Sequence, residues 1–154
     1  GPQVGWRKVM QYWLFKSEPF KWSWEDQKAK GDIGEEWDGV RNYQARNFMR
    51  DMKIGDRGFF YHSNKGLEVV GLVEICAEAH SDSTTDDERW ECVDIKAIAD
   101  IPEPVSLKAI KANEKLADMS LVTSMRLSVQ PVRDTEWMEV CRMGNLDGKS
   151  LKPL

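Results

Sequence analysis

Apolar and polar positions along the chain recur in two rhythms, period two and period 3.6, and the switches between them mark out a series of short elements. Residues 12–15 form an aromatic and apolar run closed by Pro19, which predicts a strand. Ser23, followed by Trp24, Glu25 and Asp26, predicts an N-cap and an acidic first turn for a short helix ending near Gly31. Ala45, Phe48, Met49 and Met52 fall at i, i+3, i+4 and i+7, an apolar helical stripe that stops at Gly55. Residues 57–63 and 68–76 read as strands joined through Ser63-Asn64-Lys65-Gly66, a hairpin whose register the turn residues set. Residues 91–98 alternate, with Val93, Ile95 and Ala97 on one face, and Pro102 and Pro104 should end that strand. Ser106 should cap a helix through Ala112, with a second helical turn over residues 115–119. Residues 126–130 alternate again, with Leu127 and Val129 inward and Pro131 as the stop. Asp134 or Thr135 should cap a last helix that carries Trp137, Val140 and Cys141 on one face and ends at Gly144.

Strands and helices are mixed without regular βαβ order, which predicts an α+β domain on a mostly antiparallel, barrel-like sheet. Residues 1–9 (GPQVGWRKV) read as an expression leader before Met10, residues 10–144 as the folded domain and residues 145–154 as a loose tail. A chain of 154 residues makes one domain with a core large enough to need no disulfide or structural metal. Hydrophobic residues are 41% and charged residues 31%, a globular composition, and no apolar run approaches the roughly 20 residues that cross a bilayer. Cys76, Cys92 and Cys141 are odd in number and widely separated, and no export leader is evident, so a reduced, cytoplasmic setting is expected.

Charge and aromatic content then pull in different directions. A formal charge of −4 argues against a protein that coats DNA, whereas seven Trp are many for plain packing. The charge is also uneven: Arg41, Arg46, Arg50 and Lys53 stand against Asp51 alone, while residues 82–91 hold five carboxylates against Arg89 and no apolar face, a solvated loop. The basic stretch suits either a short run of phosphates or the wet face of an amphipathic helix. His62 and His80 are isolated and no Cys pair has ligand spacing, so no metal is expected. Phosphate-loop, dinucleotide and nucleophile-elbow motifs are missing, and the cysteines sit in apolar patterns, so neither a cofactor nor a catalytic residue is expected. What does recur is polar residues beside aromatics: Lys16, Ser17 and Glu18 after residues 12–15; Asp38, Arg41 and Asn42 after Trp37; His62 and Ser63 after Phe59, Phe60 and Tyr61. Such clusters suit a flat, polar heterocycle that stacks on a π-face and is read at its edge. They suit equally a core of aromatics with polar caps, Asn42 being placed to cap the helical stripe.

The strings YWLFKSEP (12–19), WDGVRNYQARNFMRDMKIGD (37–56), FFYHS (59–63) and RLSVQP (126–131) resemble the EVE domain family in its stand-alone form, and the resemblance runs through essentially all of residues 10–144. It implies a PUA-like fold, a mixed, mostly antiparallel β pseudo-barrel with short flanking helices, related to YTH and ASCH domains. It also implies a non-enzymatic reader of a modified nucleobase, a modified cytosine such as 5-methylcytosine in DNA, flipped into an aromatic pocket. The implied pocket is Lys16, Ser17, Trp37, Asn42, Tyr61, His62, Ser63, Arg126 and Ser128, joined by Arg41. Trp37 or Tyr61 would stack, Ser17, Asn42, Ser63 and Ser128 would read the base edge, and Lys16, Arg41 and Arg126 would hold phosphate or sugar. The partner is then nucleic acid carrying a modified base, DNA ahead of RNA, with no membrane and a monomeric protein. A modified-RNA reader, an enzyme on a nucleotide or small heterocycle using His62, and a protein-interaction adaptor are the rival readings.

Overall fold

The described residues form six strands, β1 (Tyr12–Ser17), β2 (Glu35–Glu36), β3 (Arg57–His62), β4 (Glu68–Ser81), β5 (Glu91–Ser106) and β6 (Val129–Val132), of which the two-residue β2 has no counterpart among the runs read from the sequence. They make one sheet of order β2-β5-β4-β3-β1-β6. The β1–β3 pair is parallel and the other pairs are antiparallel, so the mixed, mostly antiparallel expectation holds. The computed structural model describes residues 10–154, and the expected leader, residues 1–9, lies outside the described residues.

Alternation within the strands divides the core between the two faces of the sheet. Trp13 and Phe15 of β1, Phe60 of β3 and Ile75 and Ile95 turn to one face, where α1 (Trp24–Ala29) and α2 (Tyr43–Asp51) cover them with Trp24, Ala45 and Met49. Leu14, Phe59 and Leu72 turn to the other, under α3 (Leu107–Lys111), α4 (Ser120–Thr123) and α5 (Asp134–Met143). Trp137 of α5 is fully buried between the rings of Tyr12 (4.4 Å) and Phe59 (4.3 Å). α2 lies against both β5 and β6, strands from opposite halves of the sheet, and so closes its curl from one side.

The helix starts follow their sequence signals. Ser23 and Asp26 exchange hydrogen bonds in a capping box at α1, Asn42 accepts the Ala45 N–H at α2 (2.8 Å), and Ser106 accepts the Ala109 N–H at α3 (3.0 Å). At α5 the expected cap by Asp134 or Thr135 is corrected: Arg133 is the cap residue and its N–H is taken by Glu136 from within the first turn (2.9 Å). The helical turn expected over residues 115–119 is a 3-10 turn, Glu114–Leu116, ahead of α4.

Three further corrections have physical reasons. Pro102 and Pro104 do not end β5, because the ladder to β4 jumps from Gly71–Asp100 to Val69–Val105, and the prolines sit in the unpaired excursion where no ladder N–H is required. Pro131 does not stop β6 but lies within it, tolerated because β6 is an edge strand. The tail is not loose: Leu146 is buried and bridges Pro153, and Trp137 Nε1–H donates to the Gly148 carbonyl (2.8 Å).

Candidate nucleic-acid interface

The parallel pair β1–β3 ends at Ser17 and His62, and the chain leaves both strands at the same end of the sheet. Beside that end lies a cavity of about 550 Å³, within the usual range for small-molecule sites. Lys16, Ser17 and Glu18 supply one part of its lining, β2 and the residues after it (35–41) another, and Lys21, Trp22 and Ser128 complete it. Main-chain bonds hold the walls: Lys16 N–H donates to Ser128 O (2.9 Å), Ser63 N–H to Ser17 O (2.8 Å) and Trp37 N–H to Val93 O (2.8 Å). The Ser17 hydroxyl donates to the Trp22 carbonyl, which fixes the start of the loop. Lys16 Nζ donates to the Met125 carbonyl, and burial pulls its ammonium below the usual lysine range.

Of the expected site residues, Lys16, Ser17, Trp37, Arg41 and Ser128 meet in this cavity. Tyr61, Ser63 and Arg126 line a neighbouring hollow of about 460 Å³ that shares Lys16 and Ser128 with the first, with Leu67, Leu107 and Leu121 as its apolar floor. Asn42 lies apart from both, in a third hollow with Arg126, and its side-chain oxygen is engaged as the α2 cap. His62 lines none of these hollows: its Nε2 accepts the Trp24 N–H (3.1 Å), and burial lowers its pKa, favouring the neutral ring that this bond needs.

Trp37 is 8% exposed, and its ring meets Phe15 and Phe60 edge to face at 5.3 and 5.8 Å, so it is core on one side and cavity wall on the other. Tyr61 is 2% exposed, and burial pushes its phenol up to about 12. Trp22 was not among the expected residues and lines the cavity with Trp37. Its Nε1–H donates to the Gln27 side chain (3.0 Å), a polar form of the staple that joins the residue before a cap to the fourth helical residue. A tryptophan directly preceding a cap was the available signal. Asp38, next to Trp37, also lines the cavity.

Residues 82–91 are not simply a solvated loop. Asp82 and Trp90 are buried, and the carboxylates meet the basic stretch: Arg41 pairs with Asp82 (3.0 Å) and Arg50 with Glu91, while Arg46 donates to the Arg89 carbonyl (2.9 Å). Arg41 and Arg46 also lie over the Trp90 ring, which stacks on Tyr43. Burial opposes ionisation of Asp82, but Thr84, the Gly39 N–H and Arg41 outweigh it and hold the carboxyl at about 2. The positive stretch is thus largely compensated within the molecule.

One grouping escaped the sequence. Glu36, His80 and Cys92 present potential ligand atoms within 4.8 Å of one another, on β2, β4 and β5. Their own hydrogen bonds engage them: Ser83 and the Cys92 thiol donate to Glu36, and His80 contacts Asp94 (2.7 Å), whose hydrogen bond raises the His80 pKa. The Cys92 thiol is pushed far up by burial and by Glu36, so it keeps its proton rather than offering a thiolate.

A six-stranded mixed sheet with an aromatic cavity at the end of its parallel pair defines a small α+β binding domain. The chain belongs to the EVE domain family, which it matches over residues 11–143. Thymocyte nuclear protein 1 of Mus musculus is 38% identical over 86% of this chain and 73% of its own length. A solved structure of a protein from Agrobacterium tumefaciens is 69% identical with a TM-score of 0.89, covering 94% of this chain and 99% of that one. The human THYN1 protein, solved in complex with 5-methylcytosine containing DNA, is 34% identical with a TM-score of 0.83 over 89% of this chain and 99% of that one. A YTH domain of Zygosaccharomyces rouxii MRB1, solved with N6-methyladenosine RNA, shares the fold at 16% identity and a TM-score of 0.55, over 94% of this chain and 92% of that chain.

Proposed function

We propose that this protein is a non-catalytic reader of a modified cytosine in DNA, taking the flipped base into the cavity between Lys16, Trp22 and Trp37. The observation that carries the reading is the complex of the human THYN1 protein with 5-methylcytosine containing DNA. It is supported by the geometry: two indoles and several short polar groups line one cavity of base-accommodating size. The base stacks on the indole surfaces, Ser17 and Ser128 stand at its edge, and Arg126, which makes no ion pair among the described residues, lies in the adjoining hollow where the backbone leaves the site. Unpairing costs a few kcal/mol and stacking contributes about 1–3 kcal/mol per base, so selectivity has to come from how the site fits the modified base. No helix among the described residues is long and apolar enough to cross a membrane, and the three thiols are unpaired, as they would be in a reducing setting.

The test is a tryptophan-fluorescence titration at fixed moderate salt with oligonucleotides that differ at one cytosine. Carriers of 5-methyl- or 5-hydroxymethylcytosine should bind about tenfold or more tightly than the unmodified control; equal affinities end the reading. Matched RNA oligonucleotides form a second arm, since the 2′-hydroxyl is the group that separates the two nucleic acids. Trp22→Ala should weaken binding by about tenfold or more while lowering stability by only about 1–3 kcal/mol, the loss of its bond to Gln27. Trp37→Ala instead removes a core ring and should lower stability by about 3–5 kcal/mol, so it is the poorer probe of stacking.

A further inference from the structure

A reader of 5-methylcytosine faces a competitor that the methyl group cannot exclude. Thymine carries the same 5-methyl group, and the two bases differ at the pairing edge: cytosine offers a 4-amino donor where thymine offers a 4-oxo acceptor. A cavity that only stacks the ring and fills space around the methyl would accept both. Rejecting thymine requires a protein acceptor facing position 4, because a site built to bond a donor strongly disfavours the analogue that lacks it.

Carboxylates are the natural acceptors for a cytosine amino group, and most of those around the cavity are already engaged. Glu18 pairs with Lys21 (3.4 Å) and Glu35 with Lys30 (3.5 Å). Glu36 accepts the Ser83 N–H and hydroxyl, each at 2.7 Å. Asp82 accepts the Gly39 N–H (2.8 Å) and Arg41 (3.0 Å). Asp38 differs from all of these: it lines the cavity, directly follows Trp37, and among the described residues its side chain makes no hydrogen bond or ion pair. Resting on the modified-cytosine reading of this cavity, we infer that Asp38 is a specificity-determining residue, accepting a hydrogen bond from the 4-amino group and so excluding thymine.

The electrostatics fit that role. Burial and then the charges of Asp82, Glu36 and Glu35 raise the Asp38 carboxyl above the usual aspartate range, with Arg41 opposing them. A ligand that brings a donor to Asp38 relieves this crowding of negative charge, whereas the thymine 4-oxo group adds another pair of acceptor lone pairs to it. Thymine could present its N3–H to Asp38 only by rotating in the ring plane, which would carry its methyl group away from the position it holds in cytosine.

The experiment uses single-stranded oligonucleotides identical except for cytosine, 5-methylcytosine or thymine at one position, so that pairing strength does not enter. The wild-type protein should prefer 5-methylcytosine to thymine by about tenfold or more. In Asp38→Asn, whose amide both donates and accepts, that ratio should fall to within about twofold. Asp38→Ala should lose the same discrimination while still preferring 5-methylcytosine to cytosine. Both variants should unfold at or slightly above the wild-type midpoint, since Asp38 bonds nothing in the fold and its removal relieves the crowding with Asp82, Glu36 and Glu35. If wild type prefers 5-methylcytosine to cytosine and both variants keep its 5-methylcytosine-over-thymine ratio, the role of Asp38 is overturned and the reading stands. Wild type binding thymine as tightly as 5-methylcytosine overturns it as well. A wild-type protein that does not separate 5-methylcytosine from cytosine removes the reading itself, and the role with it.

Discussion

Asp82 shows how a single side chain decides the shape of the cavity wall. Its carboxylate gathers the Gly39 N–H, Arg41 and Thr84, and so pins the segment after Trp37 to the loop before β5. A carboxyl held at about 2 in the fold contributes stability that is fully present above its unfolded value near 3.8 and is lost as pH falls through about 2. Asp82→Asn should therefore destabilise the protein at neutral pH by on the order of 2 kcal/mol. The gap to wild type, measured by urea unfolding, should shrink as pH falls from 4 towards about 2; a gap that stays constant over that window would show that charge is not the cause. At this scale the sequence is readable where residues cluster. Lys16 and Ser17, Trp37, Asp38 and Arg41, and Ser128 belong to strings whose side chains meet, whereas Trp22 is a single loop position with no periodicity to mark it. Conversely, Asn42 carried two readings from the start, and the cap is the one with a visible hydrogen bond.

Among the elements, local signals located the helices well because capping is a matter of three or four neighbouring residues. Ser23, Asn42 and Ser106 each do what their spacing implies. The prolines misled for the opposite reason: whether Pro102, Pro104 or Pro131 interrupts a strand depends on which neighbour the strand has, and that is settled by distant residues. The same non-local logic explains Gly71. It sits beside the β5 excursion, and a Cβ added there would lie 2.1 Å from the Trp24 ring, far inside contact. Gly71→Ala should therefore force Trp24 off its seat and cost about 1–3 kcal/mol, read as a lower denaturant midpoint. Because the Trp24 N–H also donates to His62, α1 should loosen with it, visible as faster hydrogen exchange in residues 24–29. An unchanged midpoint would mean that the ring has room that the geometry does not show.

For the whole molecule, the tension between net acidity and many tryptophans resolves by pairing within the chain. Arg41 and Arg50 answer Asp82 and Glu91, and Arg46 is held on the same loop, so these cations are poorly placed to collect phosphates. The acidic loop, expected to be merely solvated, stands against the cavity wall. Arg126 is left as the better phosphate contact, and Arg126→Ala should weaken binding almost equally for modified and unmodified oligonucleotides. It should also reduce the slope of log affinity against log salt by about one, and an unaltered slope would place Arg126 off the backbone. Fold class was legible from the mixture of periods, but the order of strands was not, since no local pattern says that β1 runs parallel to β3 and lies between it and β6.

That position of β1, paired on both edges, has a consequence for how the protein comes into being. Its two neighbours are supplied by residues 57–62 and 129–132, so β1, the first strand of the described residues, must wait for the last before its second edge is covered. Contacts of such long sequence separation form late and slowly, because a long loop must close before they stabilise anything. The bond from Lys16 N–H to Ser128 O places the cavity on the same seam, joining the two ends of the chain. A nascent or truncated chain lacking residues 128–132 would expose one edge of β1 to association with other chains and would have no complete base pocket. Competence to bind thus arrives with completion of the fold, and an unfinished copy cannot occupy a modified site.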